Sequence, residues 1–396
     1  MTSTPSIGRA HLSRRGVITA ALAAGLTVPF GLPGRAGAAA APRLVLPAPT
    51  GPFPVGTVAL HLVDRSRPDP VAGSGHHREL MVSVWYPARD VARFPRAPWL
   101  ADAAVRALLA ENGFPPDAVS TAFTDGHVGA PVRRAGERLP VVVFSHGAHG
   151  HRAEYTIVVQ ELASHGYVVV TVDHTYDAFT VFPDGRLLEP LRDGDFFLGA
   201  RDFAADIPFV LDCIEDLAAG RNPDAGHRPL PAGLRGAPDP HRIGMFGWSK
   251  GATATAWTML EDRRVHAGLG IDGPMEPLIE TDLDRPFMMM TAEYTRETEP
   301  VAQAWSHLTG WRLNIQADGA GHRSYCDYQV IVRQLAAAVG MSDEELLEWI
   351  GPLEQARGVR IQQAYPLAFF DLHLRHRRQR LLEGPSRAFP EVRYIP

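Results

Sequence analysis

The chain has 396 residues, 45% hydrophobic and 21% charged, a composition that supports an ample core and excludes a disordered polypeptide. A net charge of -5 argues against nucleic acid as a partner, because phosphate binding needs a basic face. The basic residues are almost all arginine, and the only lysine is Lys250, a bias that reads as genomic composition.

The first residues read as an export signal. Ser13-Arg14-Arg15-Gly16 opens an apolar run through Phe30, and Arg35-Ala36-Gly37-Ala38-Ala39-Ala40 follows. A basic start, a short apolar stretch and small residues spaced for cleavage predict a signal over residues 1–40, and the paired arginines predict the twin-arginine route to secretion. The alternative is a membrane anchor, for which an apolar run broken by Pro29 is short.

A proline-rich stretch then runs to Pro54. Residues 55–63 and 79–86 are β-rich, and the turn-forming segment 64–75 between them predicts an antiparallel pair. Residues 100–110 have helical spacing and suit a small cap over a site. Continuous apolar runs at 139–144 and 166–172, with an amphipathic helix predicted over 153–164 between them, are the mark of strands buried on both faces of a parallel sheet. The alternation goes on through helix 201–217, strand 242–246, helix 252–260, strands 265–271 and 286–291, helix 301–308, strand 311–316 and helix 324–339. Helices over 343–350 and 359–374 close the chain, with Arg375-His376-Arg377-Arg378 as a solvated end. Repeated β-α units predict an α/β protein with a mostly parallel, doubly wound sheet and an antiparallel N-terminal strand pair. The segment 220–240 reads as a surface excursion, so one catalytic domain spans 43–396.

Two cysteines remain, Cys213 in a helical pattern and Cys326 after a distant loop; the reading is two buried thiols rather than a bridge. The spacing of His146, His149 and His151 admits a zinc site, but in a glycine-rich loop after a strand.

Strand 242–246 runs into Gly247-Trp248-Ser249-Lys250-Gly251, and a helix starts at once. In that context G-x-S-x-G is a nucleophile elbow, which exposes the serine hydroxyl above the sheet with a helix N-terminus behind it. A serine needs a base, and the base an orienting acid, in the chain order Ser, Asp or Glu, His. His322, in the glycine-rich loop after the last strand, is the expected base. His266 and His307 read as structural. Asp272 and Glu293 each end a strand at the sheet edge where sites of open α/β sheets gather, and position leaves them nearly even as the acid; Asp282 and Asp284 are weaker.

Val143-Phe144-Ser145-His146-Gly147-Ala148-His149-Gly150 resembles the strand and oxyanion loop of platelet-activating-factor acetylhydrolases and related secreted bacterial lipases of the α/β-hydrolase fold. The strand-helix-strand that follows, to Val172-Asp173-His174, is similar too, and the resemblance runs from Val55 to the C-terminus. It implies Asp272, in Gly270-Ile271-Asp272-Gly273-Pro274-Met275, as the acid. It also implies the backbone N–H groups of Ala148 and Lys250 as the oxyanion hole, with Gly147 letting the loop turn an N–H inward. His146 then shapes the loop, His149 and His151 are rim residues, and Asp173-His174 is a loop feature with a smaller claim on substrate. The chain departs from the family at Trp248, where His is commoner, at Lys250, where a hydrophobic residue is usual, and at Ala252, where a third glycine is common.

The expectation is a secreted serine hydrolase cleaving short- to medium-chain acyl esters, phospholipid and triglyceride esters included, through an acyl-enzyme and without cofactor or metal. Its partner is a small-molecule or lipid ester, with transient contact to a lipid interface and no obligate protein partner. Three alternatives stand beside it: an acyltransferase using the same residues, an idle binding protein on the scaffold, and a zinc hydrolase built on the histidine loop.

Overall fold

Runs of β-branched and large apolar residues set the centre of the molecule, seen in a computed structural model that describes residues 40–133, 136–192 and 196–396. The expected export signal lies, apart from Ala40, outside the described residues. In chain order the strands are β1 (Arg43–Val45), β2 (Val55–Asp69), β3 (Gly73–Pro87), β4 (Arg96–Pro98), β5 (Ser120–Val128), β6 (Leu139–Ser145), β7 (Val168–Asp173), β8 (Thr180–Val181), β9 (Leu187–Leu188), β10 (Pro238–Trp248), β11 (Val265–Ile271), β12 (Phe287–Thr291), β13 (Arg312–Ala317) and β14 (Val392–Ile395). The helices are α1 (Asp102–Glu111), α2 (Thr156–Ser164), α3 (Ala200–Ala218), α4 (Lys250–Glu261), α5 (Glu299–His307), α6 (Tyr328–Val339), α7 (Asp343–Ile350) and α8 (Gln355–Arg375).

One sheet runs in the order β1-β5-β2-β3-β7-β6-β10-β11-β12-β13-β14, with β4 beside β5. The block from β7 to β13 is parallel throughout. The hairpin β2–β3 is antiparallel and joins the block through an antiparallel β3–β7 pair, and β14 closes the far edge antiparallel to β13. The expected sheet is therefore present, with the N-terminal pair longer than its apolar core because the ladder resumes beyond a register shift at Asp64–Pro68.

Successive side chains of a strand point to opposite faces, so β6 divides its valines between two cores. Val141 and Val143 pack with α3 and α4, while Val142 and Phe144 pack with α2 and α8. A third cluster joins α1, the N-terminal Leu44 and Leu46, Ile157 and residues of α6 above one end of the sheet.

Three expectations change. Helix 153–164 begins at Thr156 and is not amphipathic: all nine residues are buried, because α2 lies between strands and α8. Its N-terminus is capped from far away, since the Asp327 carboxylate accepts from the Thr156 and Ile157 N–H groups, satisfying donors that a helix cannot pair itself. Helix α6 starts at Tyr328, not at Ser324. Strands β1, β4, β5 and β14 come from segments for which no strand was predicted; β5, Ser-Thr-Ala-Phe-Thr-Asp-Gly-His-Val, lacks a continuous apolar run and holds Phe123 exposed.

Candidate active site

Strand β10 ends at Trp248 and α4 begins at Lys250, so Ser249 alone makes the turn, at φ 53° and ψ -119°. That conformation is costly for a residue with a Cβ, and surrounding structure must impose it. The two flanking glycines permit it. A Cβ on Gly247 would lie 2.1 Å from the Gly251 carbonyl oxygen, and one on Gly251 would lie 2.1 Å from that of Ser145. His149 and Asp272 also have positive φ, 55° and 42°. Ser249 itself is half-buried.

His322 lies in the loop between β13 and α6, half-buried, with Nδ1 2.6 Å from Asp272 Oδ2. Asp272 is buried at the end of β11, and its Oδ1 accepts from the N–H groups of Ala292 (2.7 Å) and Tyr294 (2.9 Å). An ionised carboxylate can only accept, so Nδ1 carries the proton and Nε2 is left with its lone pair. Glu293, the competing carboxylate, does something else: its Oε1 accepts from the His322 backbone N–H at 2.8 Å. Trp248 completes the setting, with its ring 4.7 Å from the imidazole and its Nε1 donating to the His322 carbonyl at 3.0 Å. Asp282 pairs with His307, Asp284 with Arg263, and His266 is exposed at the start of β11.

The loop after β6 is held by two acids that the sequence did not single out. Gly147 N–H donates to Glu154 Oε2 at 3.2 Å and His149 N–H to Asp177 Oδ1 at 2.5 Å. The Ala148 N–H between them donates to no protein group among the described residues. Lys250 opens α4, where the first N–H groups have no intrahelical acceptor. Gly147 is needed for space rather than for a turn: its φ is not positive, and a Cβ there would lie 2.6 Å from the Trp248 ring.

His146 and His151 point into the protein, a correction for His151, which was read as a rim residue. His146 Nε2 accepts from the His174 N–H, and Nδ1 donates to the Gly147 carbonyl. His151 Nδ1 accepts from the Ala153 N–H, which leaves Nε2–H to donate to Tyr328 Oη. Burial pushes His146 well below the usual imidazole range and His151 down to about 3. Among the described residues no group of three such side chains could hold a metal ion.

Asp173 and His174 are also sealed in. Asp173 binds the Arg152 guanidinium and backbone N–H. His174 Nδ1 lies 2.9 Å from Asp206 Oδ2, its Nε2 2.9 Å from Ser145 Oγ, and Arg78 clamps Asp206 from the other side at 2.7 and 3.0 Å. Ser145, His174 and Asp206 are all buried, and Phe203 stacks on the imidazole at 3.8 Å. This chain ties β3, β6, β7 and α3 together directly beneath the Ala148 loop.

A cavity of about 350 Å³ opens at Ala148, His149 and Trp248. Leu44, Val105, Leu109, Phe114 and Leu335 give it apolar walls, and α1 covers it as expected of a cap. Cys213 and Cys326 are buried free thiols.

Comparison with known proteins places the chain among esterases. Residues 38–181 match the family model of platelet-activating factor acetylhydrolase, isoform II. A "probable 1-alkyl-2-acetylglycerophosphocholine esterase" of Arthroderma benhamiae is 28% identical over 89% of this chain and 94% of its own length. The platelet-activating factor acetylhydrolase of Cavia porcellus is 23% identical over 76% of this chain and 74% of its own. Among solved structures, a ferulic acid esterase from Streptomyces cinnamoneus superposes with a TM-score of 0.76 at 34% identity, covering 89% of this chain and 99% of that one.

Proposed function

Because the chain belongs to the platelet-activating-factor-acetylhydrolase-like esterases of the α/β-hydrolase fold, and is a carboxylic ester hydrolase, we propose that it works through Ser249, His322 and Asp272 by way of an acyl-enzyme. Ser249 Oγ attacks the ester carbonyl carbon while His322 Nε2 takes the hydroxyl proton. Asp272 keeps the Nδ1 proton in place and offsets the charge of the imidazolium. The oxyanion of the tetrahedral intermediate is met by the N–H groups of Ala148 and Lys250, whose aim is set before substrate arrives. Collapse expels the alcohol, which leaves with the proton held on Nε2. Water, deprotonated by the same nitrogen, then attacks the acyl-enzyme and restores Ser249. Cofactor and metal have no part in this scheme.

The observation that carries this reading is the 2.6 Å contact between His322 Nδ1 and a buried, doubly hydrogen-bonded Asp272. The cavity beside Ala148, whose apolar walls are interrupted by Glu111, Arg192 and Arg323, supports short- to medium-chain acyl esters as substrates, and one relative is named for a 1-alkyl-2-acetylglycerophosphocholine ester. The twin-arginine motif supports secretion, and among the described residues no helix is long and apolar enough to cross a membrane.

A nitrophenyl-ester chain-length series, run beside a phospholipid substrate on wild type and Ser249→Ala, tests the reading. The variant should fold, fail to react with a fluorophosphonate probe and keep only the small rate that binding and the oxyanion hole supply. Retention of more than a few per cent of kcat, with contamination excluded, would remove Ser249 from the mechanism. Replacing Arg14 and Arg15 by lysine should keep the protein inside the producing cell.

A further inference from the structure

A buried ammonium needs partners, because taking it out of water costs several kcal/mol that only close opposite charge and hydrogen bonds offset. Lys250 is 8% exposed. Its Nζ lies 2.5 Å from Asp177 Oδ2 and 2.6 Å from the Leu198 carbonyl, with the rings of Phe197 and Phe203 at 4.5 and 5.0 Å. Asp177 is equally sealed, at 3%. The second oxygen of the same carboxylate accepts from the His149 N–H at 2.5 Å. Residues just beyond Asp177 continue the attachment: Gly150 bridges Ala178, and the Phe179 N–H donates to the Gly150 carbonyl at 3.0 Å.

One carboxylate thus adds a direct link, beyond the β6–β10 pairing and the Glu154 contact, between the two elements that carry the donors. On one side is the side chain of the residue after Ser249, whose own N–H heads α4. On the other is the backbone immediately after Ala148. We propose that the Lys250–Asp177 ion pair is a strap that sets the spacing of the two oxyanion donors, making Lys250 and Asp177 positioning residues for ester hydrolysis. The proposal rests on the oxyanion hole proposed above. It also accounts for a charge where the family carries a hydrophobic residue: an apolar side chain would pack, but could not grip the loop.

The strap acts on where the loop sits, so its loss should appear when the oxyanion forms and not when the ester binds. Three variants separate the cases: Lys250→Met, Asp177→Asn and the two combined. Each single change leaves one buried charge or one unpaired partner. The double variant removes both charges, leaves an amide oxygen for the His149 N–H, and tests the same point should a single variant not fold. In folded protein, checked by near-ultraviolet circular dichroism, kcat should fall about 10- to 100-fold with KM within about threefold, the scale of a misplaced group near the reacting centre. Affinity for a trifluoromethyl ketone, which forms a tetrahedral oxyanion on the serine, should fall by the same factor as kcat. The double variant should be no worse than the worse single one, because both break the same link.

Wild-type kcat in the double variant would overturn the proposal. A rise in KM with kcat preserved would do the same, and would make Lys250 part of substrate binding. An active Ser249→Ala control would instead bring down the reading on which the strap rests.

Discussion

Replacing Asp272 by asparagine changes one atom, and the surrounding hydrogen bonds decide what that atom does. Asp272 Oδ1 accepts two backbone N–H groups, from Ala292 and Tyr294. An amide nitrogen cannot take that place, since donor would face donor twice. In Asp272→Asn the NH2 group is therefore forced to the other position, the one 2.6 Å from His322 Nδ1. Facing a donor, Nδ1 must give up its proton and become the acceptor, and in a neutral ring the proton moves to Nε2. The nitrogen that should receive the Ser249 proton is then already protonated. Where a triad has been put in the wrong tautomer the rate has fallen about 10⁴-fold, which corresponds to about 5.4 kcal/mol of transition-state stabilisation. Glu293→Gln is the control: a glutamine oxygen still accepts from the His322 N–H, so the loss should stay within a few fold. The assay is kcat/KM of both variants on one soluble nitrophenyl ester, with thermal unfolding to confirm the fold. An Asp272→Asn enzyme within tenfold of wild type, or a Glu293→Gln enzyme the more crippled of the two, would refute this account of the acid.

Three further outcomes are expected. Extended dialysis against a chelator should leave esterase activity unchanged, because the ring nitrogens of His146 and His151 are already committed to protein partners; loss of activity restored by zinc would reverse that. Burial alone would raise the Asp206 carboxyl, but Arg78 and then His174 outweigh it and hold it far below the usual carboxylate range. Asp206→Asn, which strands a buried guanidinium, should therefore cost about 3–5 kcal/mol in urea unfolding at neutral pH. A depressed carboxylate loses its stabilisation as pH falls below the unfolded value, so the gap between wild type and variant should shrink below about pH 4 by roughly 1.4 kcal/mol per unit. His151 runs on a different window: with a folded pKa of about 3 against 6.5, the unfolded chain binds the extra proton and stability drops as pH falls from 6.5. Wild type should lose about 1.6 kcal/mol from this residue between pH 6.5 and 5, and His151→Phe should lack that component of the slope.

The central strands could be read from residues alone because burial on both faces leaves no polar alternation to confuse them: β6, β7 and β12 are apolar almost throughout. The elbow was readable for a different reason, since two glycines around a serine between strand and helix have few other uses. Asp272 and Glu293 could not be ranked by position. They follow adjacent parallel strands in register, Ile271 opposite Met290, so both leave the sheet at the same edge, and only side-chain direction separates a partner of the imidazole from a partner of its backbone. Strands β1 and β14, of three and four residues, carry too little pattern to show a period, and β5 carries the wrong one. Asp177 and Asp206 went unseen because each acts on residues contributed by other segments. One signal was available: a lone lysine inside an elbow that the fold must bury implies an acid waiting for it. Reading it as genomic bias hid that inference.

The molecule holds the same three side-chain types in two sets: Ser249, His322 and Asp272 around the elbow, and Ser145, His174 and Asp206 in the interior. Ser145, His174 and Asp206 reproduce serine-to-imidazole-to-carboxylate contacts at 2.9 Å each, yet none of the three has more than 1% of its surface exposed. A template search keyed to those two contacts would return this buried set, which makes both of them. What separates the proposed nucleophile from the buried serine is access: Ser249 is half-buried on a strained turn, whereas Ser145 ends β6 with none of its surface exposed. Surveys that count triads should weigh reach to solvent before they weigh distances.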